Sequence, residues 1–190
     1  MKRASIHYWL TICLLLLTGS AGCYRPSVTA GDPAVLDRLL HAMRQRLLLM
    51  HDVARWKWNE QQPLTDAARE TAFLDRTQAR GRTQGLDETL VRTFFQAQIE
   101  AAKQVQASDF ERWQAEGRGK FANVPDLASE QRPRIDAASD DLLDALADAQ
   151  PSLTSGAFRR QLAARAAGIL AGEGITDRVR ETALTPLLSP

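Results

Sequence analysis

The stretch "PAVLDRLLHAMRQRLLLMHDVARWKWNE" (33–60) decides the fold. Leu36, Leu39, Met43, Leu47, Met50 and Val53 or Ala54 recur with the 3.6-residue period of an amphipathic helix. Asp32 suits the N-cap and Pro33 the first helical position, so one helix is expected from about Pro33 to about Glu60. Pro63 stops it. Two cations interrupt the apolar stripe. Arg46, Met50, Val53 and Lys57 stand at i, i+4, i+7 and i+11. Eleven residues make about three turns, so Arg46 and Lys57 point the same way, about 16 Å apart. A buried cation without a partner is costly. Either both side chains snorkel to water, or they form the wall of a polar pocket.

Outward from this segment the chain reads as helix throughout. It is rich in Ala, Leu, Arg, Gln and Glu, and no Val, Ile or aromatic alternation is sustained, so strands have no support. A second helix is expected from about Thr65 to about Arg80, with Gly81 and Gly85 punctuating its end. A third starts near Asp87 and carries Leu90, Val91, Phe94, Phe95, Ile99, Ala102 and Val105, extending towards Phe110 and Trp113. "AEGRGKFANVPD" (115–126) is a loop by composition. A fourth helix runs from near Ser129 to before Pro151, with Ile135, Leu142 and Leu146 on one face. Two C-terminal helices follow, about Ser155 to Ala171 and about Thr176 to Leu187. Helices of about 16 to 28 residues span roughly 24 to 42 Å. The expected fold class is therefore all-α, an elongated helical bundle of about six helices.

The first 22 residues read differently. Lys2 and Arg3 precede an apolar run centred on "WLTICLLLL", which gives way to "TGSAGC". The run is short for a membrane span and its tail suits a peptidase, so residues 1–22 are expected to be a signal peptide. Ala21-Gly22-Cys23 fits a lipoprotein box, although Ser20 stands where a bulky aliphatic residue is usual. Lipidation of Cys23 and ordinary cleavage nearby are both open. The reading is of an exported, periplasmic protein, touching the membrane only through a lipid anchor at Cys23 if that residue is modified. Residues 23–190 are of a size for a single domain with a real core.

Removing Lys2 and Arg3 leaves 22 of the 24 Lys and Arg against 23 Asp and Glu. No strong field steers such a chain to nucleic acid. Cys13 lies in the leader, so Cys23 alone remains, which excludes an intramolecular disulfide and zinc sites built on cysteine pairs. His41 and His51 have no neighbouring ligand pattern and read as surface imidazoles.

Polar side chains on inward faces recur along the chain. Asp66, Arg69 and Glu70 share one face of the second helix, a pattern that also fits a capping acid with a surface ion pair. Gln98, Ala102 and Gln106 form a line beside Phe95 and Ile99, so Gln106 faces inward and needs partners, from another helix or from a ligand. Arg132 lies one turn before Ile135, at the end of the bundle or at its surface. Taken together, Arg46, Lys57, Asp66, Arg69, Glu70, Gln106 and Arg132 hold four cations, two carboxylates and an amide. That inventory suits a compact substrate with two carboxylates and a hydroxyl. No activated serine, cysteine, catalytic histidine pair or metal-ligand cluster accompanies it, so no cofactor is expected.

These residues resemble the all-helical chorismate mutases, and in particular their exported, gamma-class members. The match runs through Arg46, Lys57 in "WKW", Asp66, Arg69-Glu70, Gln106, and Arg132 in "RPRID". It covers about residues 33–150, and the long exported form with extra C-terminal helices extends it to nearly the whole mature chain. The resemblance implies rearrangement of chorismate to prephenate without a cofactor. It also implies that Lys57 and Gln106 donate to the ether oxygen, that Arg46, Arg69 and Arg132 hold the carboxylates, and that Glu70 accepts from the ring hydroxyl. Asp66 would orient Lys57 or Arg69 and could touch that hydroxyl. The chain departs from many relatives at Ala102, where a serine or threonine is usual. Arg132 takes the place of an arginine that a partner subunit supplies in the short intracellular class, so each protomer could be complete, and a homodimer stays compatible with the sequence. Two other readings stand beside this one. The chain could be a non-catalytic helical lipoprotein or adaptor. It could also be a small-dicarboxylate binding protein, or a related domain that cleaves an enolpyruvyl compound.

Overall fold

In the computed structural model the described residues are 32–188, so the expected signal segment and Cys23 lie outside them. Seven α-helices follow in order: α1 (Pro33–Leu48), α2 (Met50–Asn59), α3 (Ala67–Thr83), α4 (Glu88–Ala115), α5 (Arg132–Ala149), α6 (Gly156–Ile169) and α7 (Asp177–Leu188). No strand occurs among the described residues. The expected first helix is present as α1 and α2, with Leu49 between them. Leu49 keeps right-handed helical dihedrals (φ −66°, ψ −17°), and the Val53 N–H to Leu49 carbonyl bond is stretched to 3.5 Å. The break is one of hydrogen bonding, and the two pieces form one rod. Counted so, the bundle has six rods.

Asp32, Asp66, Asp87, Asp126 and Ser155 each accept a backbone N–H at a helix start, occupying donors that the helix itself leaves unpaired. Two boundaries depart from the sequence reading. Gly81 does not end the second helix. It lies inside α3, where a Cβ would sit 2.9 Å from Val91 Cγ2, so its role is close approach to α4. Gly85, at φ +76°, makes the turn. The fourth helix begins earlier than Ser129, because Asp126 caps a π-helical turn (Leu127–Gln131) that leads directly into α5.

The long α4 forms the spine. Its Phe94 and Phe95 are fully buried and meet edge to face at 5.3 Å. It packs against α7 on one side and against α2 and α3 on the other, while α1 packs against α5 and α6. Leu36, Leu39, Leu40, Met43 and Leu47 of α1 meet Leu142, Leu143 and Leu146 of α5 in the same core. Fully burying a side chain of this size contributes about 1.5–3 kcal/mol.

The tryptophans that flank Lys57 now have a reason. Trp58 packs edge-on against Phe110 and Trp113, and its Nε1 donates to the Gly119 carbonyl. Asn59 exchanges two hydrogen bonds with the Phe121 backbone. Trp56 packs on the main core. With the rings pinned on either side, Lys57 is turned towards the space between α2, α3 and α4.

Candidate active site

Arg46, Lys57, Asp66, Arg69, Glu70, Gln106 and Arg132, from α1, α2, the start of α3, α4 and the start of α5, all line one cavity of about 140 Å³. An apolar cavity of that volume admits a benzene-sized ring. Met50, Val53, Phe73, Ile99, Ala102 and Leu127 supply its apolar wall.

Arg46 is 4% exposed. Its Nε donates to Ser139 Oγ and its Nη1 to the Gln98 carbonyl, each at 3.1 Å, and the guanidinium lies over the Phe73 ring at 5.5 Å. Burial lowers its pKa to about 10, with Asp136 opposing, so it remains a cation at neutral pH. No carboxylate lies within ion-pair distance of it among the described residues. Lys57 is half-buried, and burial lowers its pKa below the ordinary lysine value, with Glu70 and Asp66 opposing. Its Nζ donates to the Leu64 carbonyl at 2.6 Å.

Asp66 lines the same cavity. It is exposed at the cavity edge, caps α3 by accepting from the Arg69 N–H at 3.2 Å, and makes no bond to the Lys57 ammonium. Glu70 reaches back to the Asp66 N–H with Oε1 at 3.2 Å, and its Oε2 lies 2.8 Å from Lys103 Nζ. Arg69 has Asp136 at 4.0 Å, and its pKa is lowered by burial and then by repulsion from the Arg132 cation. Arg132 has no carboxylate within ion-pair distance among the described residues, so the two guanidiniums together can take an anion.

The unpaired groups point the same way. Four buried side-chain atoms lack a partner among the described residues: Gln106 Oε1, Arg132 Nε, Gln98 Oε1 and Gln131 Oε1. Two belong to cavity residues. Gln98 carries the carbonyl that holds Arg46, and Gln131 adjoins Arg132. The Gln106 amide gives one N–H to the Ala102 carbonyl at 3.2 Å and faces only the weakly accepting Met50 sulfur, at 3.7 Å, with the other. Native interiors leave few such groups unpaired, and each calls for a partner from water, an ion or a ligand.

Sequence reasoning missed Lys103 and Asp136 in the cavity wall, and the Leu64 carbonyl that holds Lys57. It also misjudged His51, which is not a free surface imidazole. His51 Nδ1 lies 2.6 Å from Asp109 Oδ2 and Nε2 lies 3.0 Å from the Glu173 carbonyl. Arg112 closes the group by donating to Asp109 Oδ1 at 2.7 Å and to Glu173 Oε1 at 2.6 Å. The ligand atoms of His51, Asp109 and Glu173 are within 4.8 Å of one another, but Arg112 already neutralises the carboxylates, so this is an ion-pair clamp between α2, α4 and the turn before α7.

The fold and cavity define a class: a helical bundle that holds a ring-sized, cationic site, with the Arg132 Nε donor and the Gln106 Oε1 acceptor unpaired among the described residues. The comparisons with known proteins give that class a family. The family model described as chorismate mutase type II matches residues 35–107. The chorismate mutase of Burkholderia thailandensis superposes with a TM-score of 0.74 at 33% sequence identity, over 81% of this chain and 99% of that one. The chain belongs to the chorismate mutase family. It is also 29% identical over 129 residues to the secreted chorismate mutase of Mycobacterium tuberculosis, a match covering 68% of this chain and 64% of that protein's length. The secreted chorismate mutase of Yersinia pestis shares the fold, with a TM-score of 0.65 at 20% identity over 79% of this chain and 94% of that one.

Proposed function

We propose that this chain rearranges chorismate to prephenate within the cavity described above. The reaction breaks a C–O ether bond and forms a C–C bond in the same molecule, so it needs no nucleophile, and no proton or electron leaves the substrate. What the protein can add is a compact substrate conformation and stabilisation of charge on the ether oxygen as its bond to carbon breaks. Lys57 and Gln106 are the two donors for that oxygen. Arg46, Arg69 and Arg132 are the carboxylate partners, and Glu70 accepts from the ring hydroxyl. Asp66 acts indirectly, by capping the helix that carries Arg69 and Glu70.

The observation that carries this reading is the convergence of seven polar residues from four rods, four of them cations, on one ring-sized cavity. Export and a single domain over residues 23–190 belong to the same proposal. They are supported by the leader-like first 22 residues and by the secreted relatives. Lipidation at Cys23 and a homodimer are finer proposals that stand on the sequence alone.

The test is direct. Purified mature protein added to chorismate, with no cofactor, is expected to consume its absorbance and yield prephenate. Decay no faster than that of chorismate in buffer overturns the reading.

A further inference from the structure

Lys103 stands where a surface charge would be expected, one residue after Ala102 and between Glu100 and Gln104. Yet it lines the cavity with its side chain only 19% exposed. Its ammonium lies 2.8 Å from Glu70 Oε2 and 3.1 Å from Glu100 Oε1. The other Glu70 oxygen accepts from the Asp66 N–H. The Glu70 carboxylate is thus held at both ends, by the start of its own helix and by a cation from α4.

Charge gives the second observation. The cavity wall carries five cations, Arg46, Lys57, Arg69, Lys103 and Arg132. Against them stand three carboxylates, Asp66, Glu70 and Asp136. The formal balance is +2, which matches a dianion, and it falls to +1 without Lys103. A carboxylate that must sit beside a dianionic substrate repels it unless its own charge is neutralised.

We infer that Lys103 is a positioning residue of this cavity: it fixes the Glu70 carboxylate and neutralises it, so that Glu70 can accept a hydroxyl without repelling a dianion. This inference rests on the proposed mutase reading. It assigns to α4 a polar contribution beyond Gln106, on a helix face where Ala102 offers no hydroxyl.

The experiment is steady-state kinetics on chorismate with the wild type, K103M and K103R, and with K103M placed in an E70Q background. Circular dichroism checks that each variant folds, with K103Q as the replacement should K103M fail. An attraction felt equally by substrate and transition state appears in KM. K103M is therefore expected to raise KM about tenfold, with kcat changed by less than about threefold. K103R is expected to restore KM to within about threefold of wild type, because it keeps the charge. In the E70Q background K103M should add no more than about threefold, because contacting residues couple. KM within about twofold of wild type in K103M overturns the inference, as does K103R behaving like K103M. A full, additive loss in the E70Q background also overturns it. A wild type with no turnover would instead remove the mutase reading and this inference together.

Discussion

Two polar clusters share α4, within one helical turn of each other along it, and they differ in how completely their donors and acceptors are matched. In the clamp, His51, Asp109, Arg112 and Glu173 satisfy one another: both imidazole nitrogens face oxygens, and each carboxylate meets Arg112. In the cavity, Gln106 Oε1 and Arg132 Nε have no partner among the described residues, and Arg69 finds a carboxylate among them only at 4.0 Å. The clamp holds α2, α4 and the turn before α7 together. The cavity keeps its capacity for hydrogen bonding in reserve. A closed network and an open one can therefore be told apart by counting partners, although both are built from ordinary charged residues.

The contrast is broken most sharply at Lys57. Lys57→Ala should lower kcat by about a hundredfold or more while the thermal midpoint stays near wild type, because the residue gives one bond to a loop carbonyl and burial works against its charge. Steady-state kinetics beside a melting curve reads both. Gln106→Leu should lower kcat by about a hundredfold and leave the midpoint unchanged or higher, since the change removes a buried amide that is only partly satisfied. A midpoint that falls steeply would make Gln106 a structural residue.

The clamp should answer in the opposite sense. Asp109 is 3% exposed, and Asp109→Ala leaves His51 and Arg112 without their shared carboxylate. A loss of about 3 kcal/mol is expected, seen as a fall in the thermal midpoint. Turnover per folded molecule should stay within about threefold of wild type. A stable Asp109→Ala protein that has lost its activity would erase the distinction between the two clusters.

The smallest effect is the dependence on pH. The hydrogen bond to Asp109 raises the His51 pKa above its ordinary value of 6.5, with burial opposing. Its contribution to stability is therefore full below the unfolded value and is lost as pH rises through the raised folded value. The midpoint of the wild type should decline gently as pH rises above 6.5, and that decline should vanish in His51→Gln. Activity should stay flat through neutral pH, because the Gln106 amide donates at any ordinary pH. A steep loss of activity between mildly acidic and neutral pH would count against Gln106 as the donor.

The rods and the seven residues that line the cavity were legible before any coordinates. Arg46 and Lys57 lie three turns apart on one apolar stripe, and helical period alone put them on the same side. Gln106 and Arg132 could be found because each stands on or beside an apolar face where a polar residue needs a partner. Lys103 could not, because its neighbours Glu100 and Gln104 make it look solvated. His51 was hidden for a similar reason, since its partners lie 58 and 122 residues away. Asp66 shows the limit from the other side. Its type and position suited both a cap and a ligand contact; it does cap α3, and it also lines the cavity.

By itself, then, the sequence determined the all-helical class, the apolar faces and a set of polar residues on or beside those faces, because these follow from a 3.6-residue period. Tertiary structure alone decided which charges close on one another and which stay open to a ligand. That distinction depends on distances between helices far apart in the chain, where a single side chain such as Lys103 or His51 is assigned its role by whatever α3, α4 and the turn before α7 bring beside it.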